Sequence, residues 1–193
     1  MVRPTGYHEV DPELVHSADE MLSHLPNADE CCGQHWERTP ERFARYLTHL
    51  GRKDEYSRWT SFENVEDIKH LIVVPSISFW SACTHHLLPF VGQIDVGYIP
   101  NKLIFGLSKI PLLVREIARG FWIQEELTKA IAKAFDKLVE PSGMAVRIRA
   151  QHTCQLLDVG PPIPWMVTME AHGLLLHNPS AKAEFLAACD VSN

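Results

Sequence analysis

The stretch Ser81-Ala82-Cys83-Thr84-His85-His86-Leu87-Leu88-Pro89, followed without a break by Phe90-Val91-Gly92-Gln93-Ile94-Asp95-Val96-Gly97-Tyr98-Ile99, decides how the chain reads on either side. Its second half alternates, Gly92, Ile94, Val96 and Tyr98 against Val91, Gln93, Asp95 and Gly97, which is the period of a half-buried antiparallel strand. Just before it, His70 to Trp80 is rich in β formers (Ile72, Val73, Val74, Ile77, Phe79), and Pro75 restricts that run to a sheet edge or a bulge. The segment between the two is therefore a turn, and it carries Cys83 and His86 in C-x-x-H spacing.

Downstream, Pro100-Asn101 is a turn and Lys102 to Leu107 a short strand. Ser108 opens a helix with Pro111 in its first turn, running through Leu113 and Ile117 to Gly120. A second helix carries Ile123, Leu127, Ala130, Ile131, Ala134, Phe135 and Leu138 until Pro141-Ser142-Gly143 ends it. Met144 to Gln151 alternates again, Val146 and Ile148 against Arg147 and Arg149, and leads into His152-x-Cys154. A last β-like run spans Trp165 to Leu176, and Asn178-Pro179 caps a terminal helix. The order β, β, α, α, β, β predicts an α+β domain.

Upstream, Leu14, Val15, Ala18, Met21, Leu22 and Leu25 recur at helical spacing between about Asp11 and Leu25. Pro26 to Gly33 reads as loop, and its Cys31 and Cys32, with His35 nearby, read as plain thiols rather than as a metal grip. Thr39 as N-cap and Pro40 at the first helical position open a helix with Phe43, Tyr46, Leu47 and Leu50 on one face and Gly51 as its stop. Arg52 to Asp67 is a polar connection. The expected division is residues 1–66 as a helical extension and linker, and 67–193 as the main domain.

The 193 residues suffice for one domain with a real core plus such an extension. No segment approaches the ~20 consecutive apolar residues of a membrane span, and the N-terminus has neither the apolar core of a secretory signal nor the Arg/Ser-rich make-up of a transit peptide. These features predict a soluble, cytoplasmic protein. A formal net charge of −6 argues against nucleic acid or an anionic membrane as a partner. Five cysteines with no framework spacing read as reduced thiols.

Thiolate sulfur and imidazole nitrogen are the ligands a borderline-soft ion such as Zn²⁺ prefers, and three protein ligands with one open position make a catalytic site. Cys83, His86, His152 and Cys154 can supply such a set. Each pair alone is weak, because buried cysteines are commonly inert small hydrophobes. Their joint position beside strand ends strengthens the reading.

Taken in order, Thr39-Pro40-Glu41-Arg42, Ser81 to Phe90, Tyr98-Ile99-Pro100, Gly106-Leu107-Ser108-Lys109, Gln124-Glu125-Glu126-Leu127-Thr128 and His152-Thr153-Cys154 resemble the GTP cyclohydrolase I family, from about Thr39 to the C-terminus. The resemblance implies a tunnelling fold, with two helices on one face of an antiparallel sheet. It implies Cys83, His86 and Cys154 as zinc ligands, and His85 and His152 as the acid/base histidines. Glu125 would hold the guanine edge with Gln124 beside it, and Ser108 with Lys109 would begin the triphosphate contact. Without the resemblance, Glu125 is a solvated helix carboxylate and Ser108 a plain N-cap. The implied reaction is zinc-dependent hydrolytic opening of the imidazole ring of GTP, with release of formate and formation of 7,8-dihydroneopterin triphosphate. The implied assembly is a homodecamer of two stacked pentamers.

The departures are specific. Thr84 stands where family members usually carry glutamate, Glu126 where they carry arginine, and Leu112 and Asp158 where two arginines grip the triphosphate. Metal and acid/base positions are kept while the phosphate grip is altered. That leaves two alternatives open: the same ring opening on a deoxy or less phosphorylated guanine nucleotide, or a non-catalytic homologue that retains the pocket.

Overall fold

The computed structural model describes residues 10–26, 36–51 and 60–190. Cys31, Cys32 and His35 lie outside them. The chain divides into two compact units, residues 1–52 and 53–193.

The first unit is a helical pair. Helix α1 (Pro12–Ser23) begins where the Asp11 carboxylate accepts the Glu13 backbone N–H at 2.9 Å, a side-chain cap with proline in the first turn. Ala18 and Leu22 are its buried positions. Helix α2 (Thr39–Gly51) buries Pro40, Ala44 and Leu50. Thr39 is already helical, one residue further in than its capping chemistry suggests.

The second unit contains short strand β1 (Ser61–Glu63), long strands β2 (Ile72–Cys83) and β3 (Pro89–Ile99), short β4 (Leu103–Phe105), helix α3 (Lys109–Ala118), two-residue β5 (Phe121–Trp122) and helix α4 (Gln124–Val139). It continues with β6 (Gly143–His152), one-turn α5 (Gln155–Asp158), β7 (Met166–Gly173), one-turn α6 (Leu174–His177) and α7 (Pro179–Asp190). A five-stranded sheet has the order β5-β2-β3-β6-β7, antiparallel throughout except for β5 against β2. Strands β1 and β4 form a separate antiparallel pair, so Ser61 to Glu63, expected within the linker, are strand. The domain is mixed α+β.

Strand β2 carries its expected bulge at Pro75-Ser76, where the register with β3 shifts between Val74 and Ile77. Ser76 takes φ 56°, and its N–H donates to the Asp95 carboxylate at 2.8 Å. The main core lies on one face of the sheet, where Ile77, Phe90, Ile94, Val96 and Ile148 meet Ile110, Leu113, Leu127, Ile131 and Phe135 of the two long helices. Burying so many large apolar side chains at ~25 cal/mol per Å² is the main stabilising term.

Strand β3 departs from the half-buried expectation: from Ile94 to Ile99 both faces are buried. The cause is α7, whose Phe185 packs so closely over Gly97 that a Cβ there would stand 2.5 Å from its ring. Asn178 caps α7 by accepting from the Ser180 N–H at 3.0 Å. At the other end of α7, Asp190 accepts from Arg147, whose Nε also donates to Asp95 at 2.8 Å. The neighbouring Cys189 thiol is pushed up to about 12, first by burial and then by the Asp95 charge, and stays protonated.

Candidate active site

The sheet register brings the candidate residues together. Phe90 pairs with Ser81 on one side and with His152 on the other, so these three occupy one row across β2, β3 and β6. Two residues beyond Ser81 lies Cys83, and two beyond His152 lies Cys154. Both cysteines thus flank the start of β3. The turn from Cys83 into β3 is tight: the Cys83 N–H donates to Leu88 O at 2.8 Å, the Leu87 N–H to Cys83 O at 2.8 Å, and Leu87 takes φ 58°. Thr153 ties the far side, its hydroxyl donating to Pro89 O at 2.6 Å.

Cys83, Cys154 and His152 are all buried, and one ligand atom from each lies within 4.8 Å of the other two. Two sulfurs and an imidazole nitrogen at that separation fit a borderline-soft divalent cation. The Cys154 thiol is pushed up, first by burial and then by the Cys83 thiol beside it and the Asp158 charge. A bound cation reverses this by favouring the thiolate.

His86 is exposed on the turn and is not part of that cluster, although it follows Cys83 by three residues. His85, also exposed, has Nδ1 3.8 Å from Cys83 Sγ, and its ring centroid lies 6.3 Å from that of His86. The turn therefore carries two solvent-facing imidazoles beside a buried thiol.

His152 is the most constrained group of the site. Its ring stacks on Phe90, with centroids 4.4 Å apart and planes 2° from parallel, and its Nε2 lies 3.0 Å from Gln124 Oε1. Burial lowers its pKa, and the Glu125 carboxylate partly opposes that. Gln124 and Glu125 arrive through β5, whose Trp122 pairs with Cys83, so the first turn of α4 starts beside the cysteine. Gln124 is 1% exposed, whereas Glu125 is open to solvent.

Ser108 and Lys109 begin α3. The Ser108 hydroxyl makes no capping bond, and the Lys109 N–H closes the preceding turn onto Gly106 O at 2.8 Å. Leu112 is 47% exposed on the same helix. Asp158 is exposed at the end of α5. Sequence reasoning assigns no part to Phe90, Thr128 or Thr168, which touch His152 or Gln124. A threonine in a strand is an ordinary β former and gives no sign of its partner.

A family model described as GTP cyclohydrolase I matches residues 16–190. The GTP cyclohydrolase 1 of Gloeobacter violaceus is 38% identical over 154 residues, which cover 78% of this chain and 72% of that protein. The GTP cyclohydrolase 1 of a Synechococcus strain is 32% identical over 190 residues, covering 95% and 81% respectively. A crystal structure of an archaeosine synthase, QueF-like, in the apo form aligns with 53% of this chain and 93% of its own, at a TM-score of 0.45 and 17% identity, too slight a likeness to argue from. With residues 16–190 matched and relatives of this identity along most of its length, the chain belongs to the GTP cyclohydrolase I family.

Proposed function

We propose that the chain opens the imidazole ring of GTP hydrolytically, expels C8 as formate and yields 7,8-dihydroneopterin triphosphate, with zinc as its metal and the tunnelling fold as its scaffold. The observation that carries the reading is the buried Cys83–Cys154–His152 cluster at converging strand ends, with Glu125 beside it. Cys83, Cys154 and His86 are the proposed ligands. When bound, zinc supplies Lewis acidity and lowers the pKa of a water toward ~7.

The chain's own residues do the rest. His85 and His152 exchange protons with the purine nitrogens and the leaving groups, work suited to imidazole near neutral pH. Glu125 accepts from the N–H groups of the guanine edge. The open N-terminus of α3, with the free Ser108 hydroxyl and the Lys109 cation, receives phosphate. Gln124 stands next to Glu125 in the first turn of α4, in a buried position.

The reading places the protein in the cytoplasm as a homodecamer of two pentamers, with a guanine nucleotide as its partner. No helix among the described residues is long and apolar enough to cross a membrane. Purified protein loaded with zinc should release one formate per GTP consumed. Binding of GTP without formate would replace this reading with that of a pocket-retaining binder.

A further inference from the structure

The amide of Gln124 sits in a hydrogen-bond chain whose directions are fixed by groups that cannot reverse. Its Nε2 lies 3.3 Å from Ile148 O and 3.2 Å from Met166 O. Backbone carbonyls only accept, so the nitrogen of the side-chain amide must face them, and Oε1 is left for His152. A third contact holds the same orientation: Nε2 lies 3.1 Å from Thr168 Oγ1. The Thr128 hydroxyl donates to Gln124 O at 2.7 Å and lies 2.7 Å from Thr168 Oγ1. With the Thr128 proton committed, Thr168 must donate to Thr128, which leaves the Thr168 oxygen free to accept from the amide.

Gln124 Oε1 can only accept, so the nitrogen 3.0 Å from it carries the hydrogen. We propose that Gln124, its amide locked by Thr168 and Thr128, is a positioning residue that holds His152 as the Nε2–H tautomer and leaves Nδ1 as the nitrogen that carries the site's chemistry. The sequence reading places Gln124 beside the substrate, but its buried amide is already engaged at both ends. The Phe90 ring fixes the plane of the imidazole and Gln124 fixes its rotation within that plane. An imidazole that serves a metal or a proton through one nitrogen is commonly held through the other in this way. The inference rests on the proposed ring-opening activity for its kinetic consequence, although not for the tautomer itself.

Two measurements test it. In zinc-loaded protein labelled with ¹⁵N-histidine, solid-state NMR at neutral pH reads both ring nitrogens of His152, assigned by their loss in His152→Asn. A protonated Nε2 with an unprotonated Nδ1 is expected, and the reverse pattern overturns the proposal. The second measurement uses Thr168→Val, which keeps the shape and deletes the acceptor, with Thr168→Ser as the conservative control. Thr168→Val should lower kcat for formate release by about tenfold or more at nearly constant KM, the usual scale for such supporting bonds, while zinc content stays stoichiometric. Thr168→Ser should recover most of that loss. An effect confined to KM, loss of zinc in step with activity, or equal damage in both variants would refute the positioning role. A parent protein that releases no formate would defeat the activity reading instead, and the NMR spectrum would still decide the tautomer.

Discussion

At the scale of single residues, the proposed ligand set divides into a part the fold already assembles and a part it presents at the surface. Cys83 and Cys154 face each other in the buried cluster, and replacing either by serine should abolish both zinc and formate release, because a hydroxyl is a far poorer ligand than a thiolate. The third ligand is the informative one. His86→Ala should lose zinc, whereas His152→Ala and His85→Ala should keep it and lose ~10²-fold or more in rate. Zinc measured in the three purified variants decides this, and retention in His86→Ala with loss in His152→Ala would move the ligand role to the buried ring. The cysteines are legible in the sequence because two short thiol–imidazole spacings, each weak alone, both fall beside strand ends. The Gln124 lock is not, since His152 and Gln124 stand 28 positions apart and Thr168 a further 16 beyond His152. The altered phosphate positions also belong to this scale. Leu112 offers no charge, and Asp158 lies near enough to act on the Cys154 thiol, which puts a negative group beside the site. Each missing arginine removes a charge-assisted contact worth about 1.5–3 kcal/mol. The preference for GTP over GMP in kcat/KM should accordingly stay below about a hundredfold, or ~2.7 kcal/mol. A larger ratio would mean that other cations hold the triphosphate.

At the scale of elements, two polar clamps fasten helices to the sheet on opposite faces. Arg147 on β6, with its side chain 10% exposed, joins Asp95 on β3 at 1% and Asp190 at the end of α7. Arg147→Met would leave the Asp95 carboxylate buried with the Ser76 N–H and the neutral Cys189 thiol as its remaining partners, at a cost of about 3–5 kcal/mol. Adding Asp95→Asn should return part of that loss, and urea midpoints of the single and double variants measure both. His172 on β7 bonds Asp136 on α4 and, at 3.2 Å, Glu170 on its own strand. Burial pulls its pKa down, but the bonds and charges of Asp136 and then Glu170 outweigh it, so the net shift is upward. A raised folded-state pKa means that the charged clamp is fully stabilising below the unfolded value near 6.5 and fades as pH rises through the folded one. The difference in Tm between the parent and His172→Asn should therefore be largest in mild acid and shrink in alkali; a difference that grows with pH would contradict the clamp. The long elements were readable because period and punctuation agree over many residues. Strand β5 was not, since two residues hold no period, and β1 is strand only because β4 lies beside it. The covered second face of β3 escaped for a related reason: alternation reports the side chains of a strand and is silent about a helix that arrives 80 or more positions later to lie over Gly97.

At the scale of the whole molecule, the sheet ends in two edges, and their chemistry bears on assembly. Strand β7 is eight residues long and, among the described residues, pairs with β6 alone, which leaves it an edge of the sheet. Such an edge is usually blunted by lysine, proline or a bulge. Here it runs Met166-Val167-Thr168-Met169-Glu170-Ala171-His172-Gly173, with no lysine and no proline, and its register with β6 is unbroken. Large apolar side chains are exposed on β7 and on the segment that leads into it: Trp165 is 59% exposed and Val167 56%, and Leu157 and Val159 reach 68% and 72%. Large apolar groups exposed along one edge strand and its approach are what a covering chain would bury. A net charge of −6 opposes indiscriminate aggregation, and the expected product is the closed homodecamer proposed above. Light scattering at micromolar concentration should give a mass near ten times the 21.9 kDa chain. Replacing Val167 by lysine, which places a charge on the edge strand without touching the cluster of cysteines, should lower that mass. If β7 completes the assembly, formate release should fall with the mass; a monomeric parent protein would leave the edge unexplained and exclude the decamer.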